Sequence, residues 1–76
     1  MNIYELTARF DPRKSFYGKA KVIEHDNGNR QLLSYDTIVA EIDKNGEFSL
    51  LWNGNTQTTS RHIKEFRRQF ERYNNV

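Results

Sequence analysis

Hydrophobic and polar positions alternate along most of the first 53 residues, whereas they recur at helical spacing in the last third of the chain. In the stretch 3–10 every second side chain is apolar: Tyr4, Leu6, Ala8 and Phe10. This alternation predicts a strand with one buried face. Comparable patterns predict three further strands, over about 17–25, 30–42 and 47–53. Because the apolar positions change parity between Tyr35 and Ile38, the third strand needs a turn or a bulge near 36–37.

An Asn-Gly dipeptide at 27–28 separates the second and third predicted strands. Asn and Gly tolerate the positive φ angles that tight hairpin turns require, so this dipeptide predicts a two-residue turn. The turn fixes a register between the two strands: Val22 opposite Leu33, Ala20 opposite Tyr35, and Ile23 opposite Leu32 on the reverse face.

Two more Asn-Gly dipeptides, at 45–46 and 53–54, predict different structures. A two-residue turn at 45–46 would mix polar and apolar side chains on one face, so a three-residue loop with a left-handed Gly46 is preferred. That loop pairs apolar residues with each other: Ile42 with Phe48, Ala40 with Leu50, and Ile38 with Trp52. The dipeptide at 53–54 is followed by polar residues and is expected to end the sheet.

A helix is predicted over about 59–73, with Thr58 or Thr59 as its N-cap. Its apolar side chains recur every three or four residues and share one face: Ile63, Phe66, Phe70 and Tyr73. We therefore expect a single α+β domain spanning 1–76. An antiparallel hairpin meander of about four strands would carry one C-terminal helix packed on one face.

Composition narrows the class of protein. A chain of 76 residues has room for one modest core, and the absence of cysteine excludes disulfides and thiolate metal sites. The first residues have neither a basic leader nor an apolar stretch of the length that a signal peptide or membrane span needs. A cytoplasmic protein without a membrane segment is expected.

Basic residues form two candidate surfaces, although 12 Lys and Arg against 10 Asp and Glu leave a net charge of only +2. One surface lies opposite the apolar helix face: Arg61, Lys64, Arg68 and Arg72. The other lies on the outer face of the second strand: Tyr17, Lys19 and Lys21. Both could contact phosphates, with the tyrosine stacking on a base. Each surface also has a purely structural explanation. The helix residues could form a solvated face, supported by Arg67–Glu71 and Glu65–Arg68 pairs, and the strand lysines could protect an edge strand from aggregation.

The predicted registers leave four aliphatic side chains on the sheet face away from the helix: Ile23, Leu32, Val39 and Leu51. So many exposed aliphatics form a candidate apolar interface. Two alternatives remain open for this face. The N-terminal strand or loop could cover it, or it could bind a partner protein or a second copy of the chain.

Candidate catalytic chemistry is sparse. Near-neutral acid or base chemistry could use His25, beside the first turn, or His62, in the first helical turn. His62 and Glu65 would make half of a metal site at most, and the sequence has no Gly-rich phosphate loop or nucleophile elbow. We therefore predict no catalytic, cofactor-binding or metal-binding residue, and a protein that is not an enzyme.

Three segments together resemble a family of very small uncharacterised proteins from phages, plasmids and other mobile elements of Gram-positive bacteria. The segments are 14–20 (KSFYGKA), 32–40 (LLSYDTIVA) and 59–66 (TSRHIKEF). The resemblance carries no known activity or site. It implies an accessory gene product, a class whose members often bind a host factor or nucleic acid. It also draws attention to polar and aromatic residues within these segments: Tyr17, Lys19, Tyr35, Thr59 and His62.

The functional expectation is accordingly a small non-enzymatic module that binds a host or phage protein, with homodimerisation as one form of that binding. The alternative is a small nucleic-acid-binding protein that uses the basic helix face together with Tyr17, Lys19 and Lys21.

Overall fold

The computed structural model describes residues 1–12, 16–54 and 56–72. It confirms the α+β prediction: an antiparallel sheet with strands in sequence order and one C-terminal helix packed against it. The sheet has five strands: β1 (Asn2–Glu5), β2 (Ala20–Glu24), β3 (Arg30–Ser34), β4 (Thr37–Ile42) and β5 (Phe48–Leu50). The helix α1 spans Gln57–Phe70. The predicted helix over about 59–73 thus starts two residues too late and extends beyond the observed end at Phe70, while Tyr73 lies outside the described residues.

The first two strands are shorter than the pattern predicted. β1 ends at Glu5, and beyond the Leu6 N–H, which still donates to the Ala20 carbonyl at 3.0 Å, the chain leaves the sheet. Residues 17–19 form a turn instead of the start of β2, because Gly18 takes a φ of 74° and the Lys19 N–H bonds back to the Phe16 carbonyl. Tyr17 and Lys19 consequently do not share a strand face with Lys21.

The first hairpin corrects the predicted two-residue turn. The His25 N–H donates to the Asn29 carbonyl at 2.9 Å, so the loop comprises the three residues 26–28, and Gly28 has a φ of 95°. This loop shifts the register by one residue. Val22 pairs with Leu32, Ala20 with Ser34, and Ile23 with Gln31.

The second hairpin has the predicted three-residue loop. The Asp43 N–H donates to the Glu47 carbonyl at 3.0 Å, and Gly46 has a φ of 85°. The pairs Ile42–Phe48 and Ala40–Leu50 are confirmed. The third predicted pair, Ile38 with Trp52, lies beyond the end of β5 at Leu50.

The break expected near 36–37 contains both a turn and a bulge. Ser34 pairs with Thr37 around the turn, where Tyr35 has a φ of 55°. The register then shifts between Leu32 and Leu33, because Leu32 pairs with Ala40 and Leu33 pairs with Ile38, which leaves Val39 as an extra residue in β4.

The helix begins without the expected cap. Thr56 is the N-cap and makes no side-chain capping hydrogen bond, so neither Thr58 nor Thr59 caps the helix. The Thr59 hydroxyl instead lies 3.0 Å from the buried Ser34 hydroxyl. Among the described residues, nine buried apolar side chains form the core between helix and sheet: Leu6, Phe16, Ala20, Val22, Leu32, Val39, Ala40, Ile42 and Phe66.

Candidate interaction surfaces

The sheet face away from α1 carries a diagonal line of aliphatic side chains. Ile3 pairs with Ile23, and Leu33 pairs with Ile38, so each pair lies on one face. Ile23 pairs with Gln31, and Leu33 lies two residues further along the same strand. Leu33 is therefore the diagonal neighbour of Ile23 on the same face. Leu51 follows the inward-facing Leu50, and its N–H donates to the Val39 carbonyl. We call this line the outer strip: Ile3, Ile23, Leu33, Ile38 and Leu51.

Polar side chains flank the outer strip on both sides. On one flank the Gln31 amide nitrogen donates to Glu41 Oε1 at 3.0 Å, and the Gln31 amide oxygen accepts a hydrogen bond from His25 Nε2 at 2.7 Å. On the other flank Lys21 pairs across the strands with Glu5, whose carboxylate accepts the Gly18 N–H at 2.8 Å. The strip ends are the most open part, since Ile3 is 55% and Leu51 53% exposed.

Two members of the predicted apolar interface do not belong to this face. Leu32 and Val39 are fully buried in the core beneath α1. The one-residue register shift of the first hairpin turns Leu32 inward and Leu33 outward, because neighbouring side chains of a strand point to opposite faces. The bulge at Val39 turns that residue inward beside Ala40. Ile23 and Leu51 are placed on the outer face as predicted.

The N-terminal segment after β1 passes over the helix side of the sheet, so it does not cover the outer strip. Leu6 is buried in the core, and the N–H groups of Arg9, Phe10 and Asp11 all donate to the Glu65 carboxylate, at 2.8–3.2 Å. Within the described residues, the outer strip is therefore left without a covering element.

The Glu65 carboxylate is buried yet ionised. Burial alone would raise its pKa, but the hydrogen bonds from Gln69 and from the backbone N–H groups of residues 9–11 outweigh burial and lower the pKa. The predicted Glu65–Arg68 pair is replaced by these contacts. A helical wheel that scores apolar positions does not predict the burial of Glu65, because the three backbone N–H groups that bond to it lie at residues 9–11, far away in the sequence.

Part of the predicted basic helix face is engaged in contacts within the chain. The Arg61 guanidinium makes two hydrogen bonds to the Asp11 carboxylate, at 2.7 and 2.9 Å, and both side chains are mostly buried. Arg68 stacks over the Phe10 ring at 4.7 Å. Lys64 and Arg72 are exposed. The predicted Arg67–Glu71 pair is confirmed, with a shortest distance of 2.8 Å.

Two tyrosines and a lysine lie at one end of the sheet, and we call them the aromatic edge: Tyr17, Lys19 and Tyr35. The Tyr35 N–H donates to the Lys19 carbonyl at 2.7 Å, which holds the two loops together. Tyr17 is 89% exposed and Tyr35 51% exposed. Tyr35 is also in the left-handed region at a φ of 55°, where Asn or Gly would be less strained. Lys21 belongs to the outer face and not to this edge.

The segments that carry the sequence resemblance meet around His62. Its Nδ1 lies 2.9 Å from the Ser34 hydroxyl, and its ring packs edge-on against Phe16 with centroids 4.6 Å apart. The Tyr35 ring lies near the same imidazole, with ring centroids 5.9 Å apart. His62 is fully buried, and its Nε2 has no hydrogen-bond partner among the described residues. Burial, together with the nearby charges of Arg61 and Lys19, lowers its pKa to about 4.

Ser34 links two other buried polar side chains, because its hydroxyl lies within hydrogen-bond distance of both the Thr59 hydroxyl and His62 Nδ1. His62 and Glu65 bond to different groups: His62 Nδ1 to Ser34, and the Glu65 carboxylate to Gln69 and the backbone N–H groups of residues 9–11. No cluster of three potential metal ligands occurs among residues 1–12, 16–54 and 56–72. Ser34 was not singled out in the sequence, where a lone serine within a strand gives no signal.

A cavity of about 140 Å³ lies between residues 10–12 and the helix side chains Arg61, Lys64 and Arg68. Its two carboxylates, Asp11 and Glu65, already accept hydrogen bonds from Arg61 and from backbone amides. The cavity therefore contains the Arg61–Asp11 ion pair and a Glu65 carboxylate that is hydrogen-bonded to the backbone. In the part of the chain that the structure describes, no helix has the length and apolar character required to cross a membrane.

Comparison with known proteins places the chain in a family. No curated protein and no solved structure matches it. The model of DUF8033, a family of unknown function, matches residues 4–75, a range that includes all three segments around His62. Since this match covers nearly the whole chain, the protein belongs to the DUF8033 family.

Proposed function

We propose that this protein is a small interaction module that binds a protein partner through the outer strip. The observation that carries the proposal is the unbroken diagonal of aliphatic side chains, one from each strand or its immediate end, on a face that no described segment covers. An antiparallel sheet with one solvated face normally presents polar side chains there. Contiguous apolar side chains with a polar rim are the usual composition of a protein-binding surface.

Two arginines of α1 already form ion pairs within the chain, and this also favours a protein partner over nucleic acid. Arg61 is neutralised by Asp11 and Arg67 by Glu71, and the net charge of the chain is only +2. The phosphate contacts that dominate nucleic-acid affinity need several available cations. The resemblance to small proteins of phages and mobile elements fits a module whose partner is a host or phage protein.

The proposal is tested by site-specific photocrosslinking in cells that express the protein naturally. A benzophenone amino acid at Ser49, which pairs with Glu41 on the outer face, should capture discrete protein partners. The same probe at the exposed Lys64 on α1 is the matched control and should not capture them. Capture from position 49 should be lost when Ile23→Lys places a charge within the strip. Identical adducts from both probe positions, or capture that survives Ile23→Lys, would contradict the proposal.

A second candidate function, binding of single-stranded nucleic acid, is favoured by the aromatic edge. Exposed tyrosines can stack on bases while Lys19 contacts a phosphate. The strained φ of Tyr35 also suggests that its side chain serves a purpose other than turn formation.

This alternative predicts binding of a fluorescent oligonucleotide that weakens steeply as salt is raised. Tyr17→Ala should weaken that binding about five-fold or more, corresponding to roughly 1 kcal/mol or more per stacked base. Lys44→Ala, in the hairpin loop 44–46 away from the aromatic edge, is the control. Absence of binding at low salt would remove the alternative.

A further inference from the structure

We propose that the partner of the outer strip is a second copy of this chain, in a dimer whose twofold axis runs along the strip. This inference rests on the proposed function, because it names the protein that the outer strip binds. A domain of 76 residues buries a small fraction of its surface on folding, and pairing two outer faces adds apolar burial that the single core cannot supply.

The charges beside the strip select the orientation of the axis. Lys21 lies on one flank and makes no ion pair with a described residue, whereas Glu41 lies on the opposite flank and is held in place by the Gln31 amide. The Glu5 carboxylate, next to Lys21 across the strands, is directed to the Gly18 N–H at the end of the sheet.

A twofold axis that crosses the strip would place the Lys21 flank on itself and the Glu41 flank on itself. An axis along the strip exchanges the flanks. Lys21 then faces the flank that carries the partner's Glu41, and Glu41 faces the flank that carries the partner's Lys21. Complementary charges favour this second arrangement, because like charges facing each other across an interface oppose association. The bulky ends of the strip then meet their own equivalents, with Leu51 against the partner's Leu51.

Sedimentation velocity over a range of protein concentrations measures the association and its charge dependence. Lys21→Glu alone and Glu41→Lys alone should each weaken dimerisation roughly ten-fold, and the double variant should return it to within about three-fold of the wild type. Circular dichroism on each variant verifies the fold. A wild type that stays monomeric at concentrations of about 1 mM, or a double variant as weak as the single ones, would overturn the proposal.

Disulfide trapping tests the axis independently, since the chain has no cysteine of its own. Leu51→Cys should form an intermolecular disulfide with itself under mild oxidation, and Ile3→Cys should do the same. If instead the disulfide forms only when the two variants are mixed, the axis crosses the strip and the proposal is wrong. If the wild type is monomeric while the probe at Ser49 captures a different protein, the proposed function stands and self-association fails.

Discussion

Two ionisable side chains of α1 lie in the interior, and they are accommodated in opposite ways. Glu65 remains charged because it accepts hydrogen bonds from three consecutive backbone N–H groups and from Gln69. His62 remains neutral because burial and neighbouring cations disfavour its proton. Apolar periodicity placed α1 on the sheet, but it did not predict that these two residues are buried. Apart from Gln69, one helical turn from Glu65, their hydrogen-bond partners lie 28 to 56 positions away in the sequence.

The neutral His62 predicts a loss of stability in mild acid. Its pKa falls from the ordinary value of 6.5 in the unfolded chain to about 4 in the folded protein. Between these values the unfolded state binds more protons, so the free energy of unfolding rises with pH. Stability should be complete above about pH 6.5 and should decline by up to about 3 kcal/mol as the pH falls towards 4.

Urea denaturation at a series of pH values measures this dependence. His62→Asn, which keeps a polar group for Ser34 but does not titrate, should lose most of the slope between about pH 4 and 6.5. His25→Gln, a change at the partly exposed histidine, should keep it. An unchanged slope in His62→Asn would show that other groups cause the acid sensitivity.

Replacing the buried carboxylate should release the N-terminal segment. Glu65→Gln puts an amide donor where three backbone donors converge, so the free energy of unfolding should fall by about 2–3 kcal/mol. Amide hydrogen exchange at residues 9–11 should accelerate more than exchange in β2 or β3. The matched control is Glu5→Gln, which alters a carboxylate that accepts one N–H at an exposed position. Equal losses for the two variants would contradict the special role of Glu65.

At the scale of elements, the two Asn-Gly hairpins have the same loop geometry, although the sequence predicted this only for the second. In the second hairpin the alternative register mixed polar with apolar residues, so the pattern excluded it. In the first hairpin, β3 contains two adjacent leucines. Shifting the register by one residue places Leu32 instead of Leu33 opposite Val22, so an apolar residue faces Val22 in either register. The dipeptide thus predicts a turn, while the length of the loop depends on tertiary packing against α1.

Three glycines with positive φ allow two destabilising effects of an alanine substitution to be separated: the strain of a left-handed backbone and the steric clash of the added Cβ. A Cβ at Gly18 would meet nothing within 4 Å, one at Gly28 would lie 3.0 Å from Lys44 Cβ, and one at Gly46 would lie 2.6 Å from Arg72 Cβ. Gly18→Ala should therefore cost about 1–2 kcal/mol for the left-handed backbone alone. Gly28→Ala should cost somewhat more, and Gly46→Ala the most.

The extra loss at Gly46 has a structural cause, because the Arg72 N–H donates to the Gly46 carbonyl at 3.1 Å and ties the segment that follows α1 to this loop. Thermal unfolding of the three alanine variants gives the order. If Gly46→Ala were no more destabilising than Gly18→Ala, the segment that follows α1 would not be anchored at the second hairpin.

At the scale of the whole molecule, alternation and helical spacing were enough to predict the layers, the strand order and the side on which α1 packs. The composition of the outer face was only half predictable, because a register shift of one residue and a bulge at Val39 each move an aliphatic side chain to the other face. Both depend on contacts between segments distant in sequence. The predicted candidate interface therefore kept its position on the sheet while its members changed.

One core joins helix and sheet, and this predicts that they unfold together. A chain of this size should have a free energy of unfolding of about 4–11 kcal/mol. Phe66, fully buried on α1, contacts the shared core, so Phe66→Ala should remove about 3–5 kcal/mol, a large fraction of the total. Phe10→Ala, at an exposed aromatic on the N-terminal segment, should cost about 1 kcal/mol or less.

Two probes follow unfolding: the fluorescence of Trp52, the single tryptophan, which follows β5 and packs against the core, and far-ultraviolet circular dichroism, dominated by α1. In urea the two transitions should coincide in the wild type and shift together in Phe66→Ala, because helix and sheet share one core among the described residues. If the circular dichroism of Phe66→Ala were lost while Trp52 kept its native emission, the sheet would be stable without its helix. That result would mean that burial on the outer face, and not α1 alone, holds the five strands together.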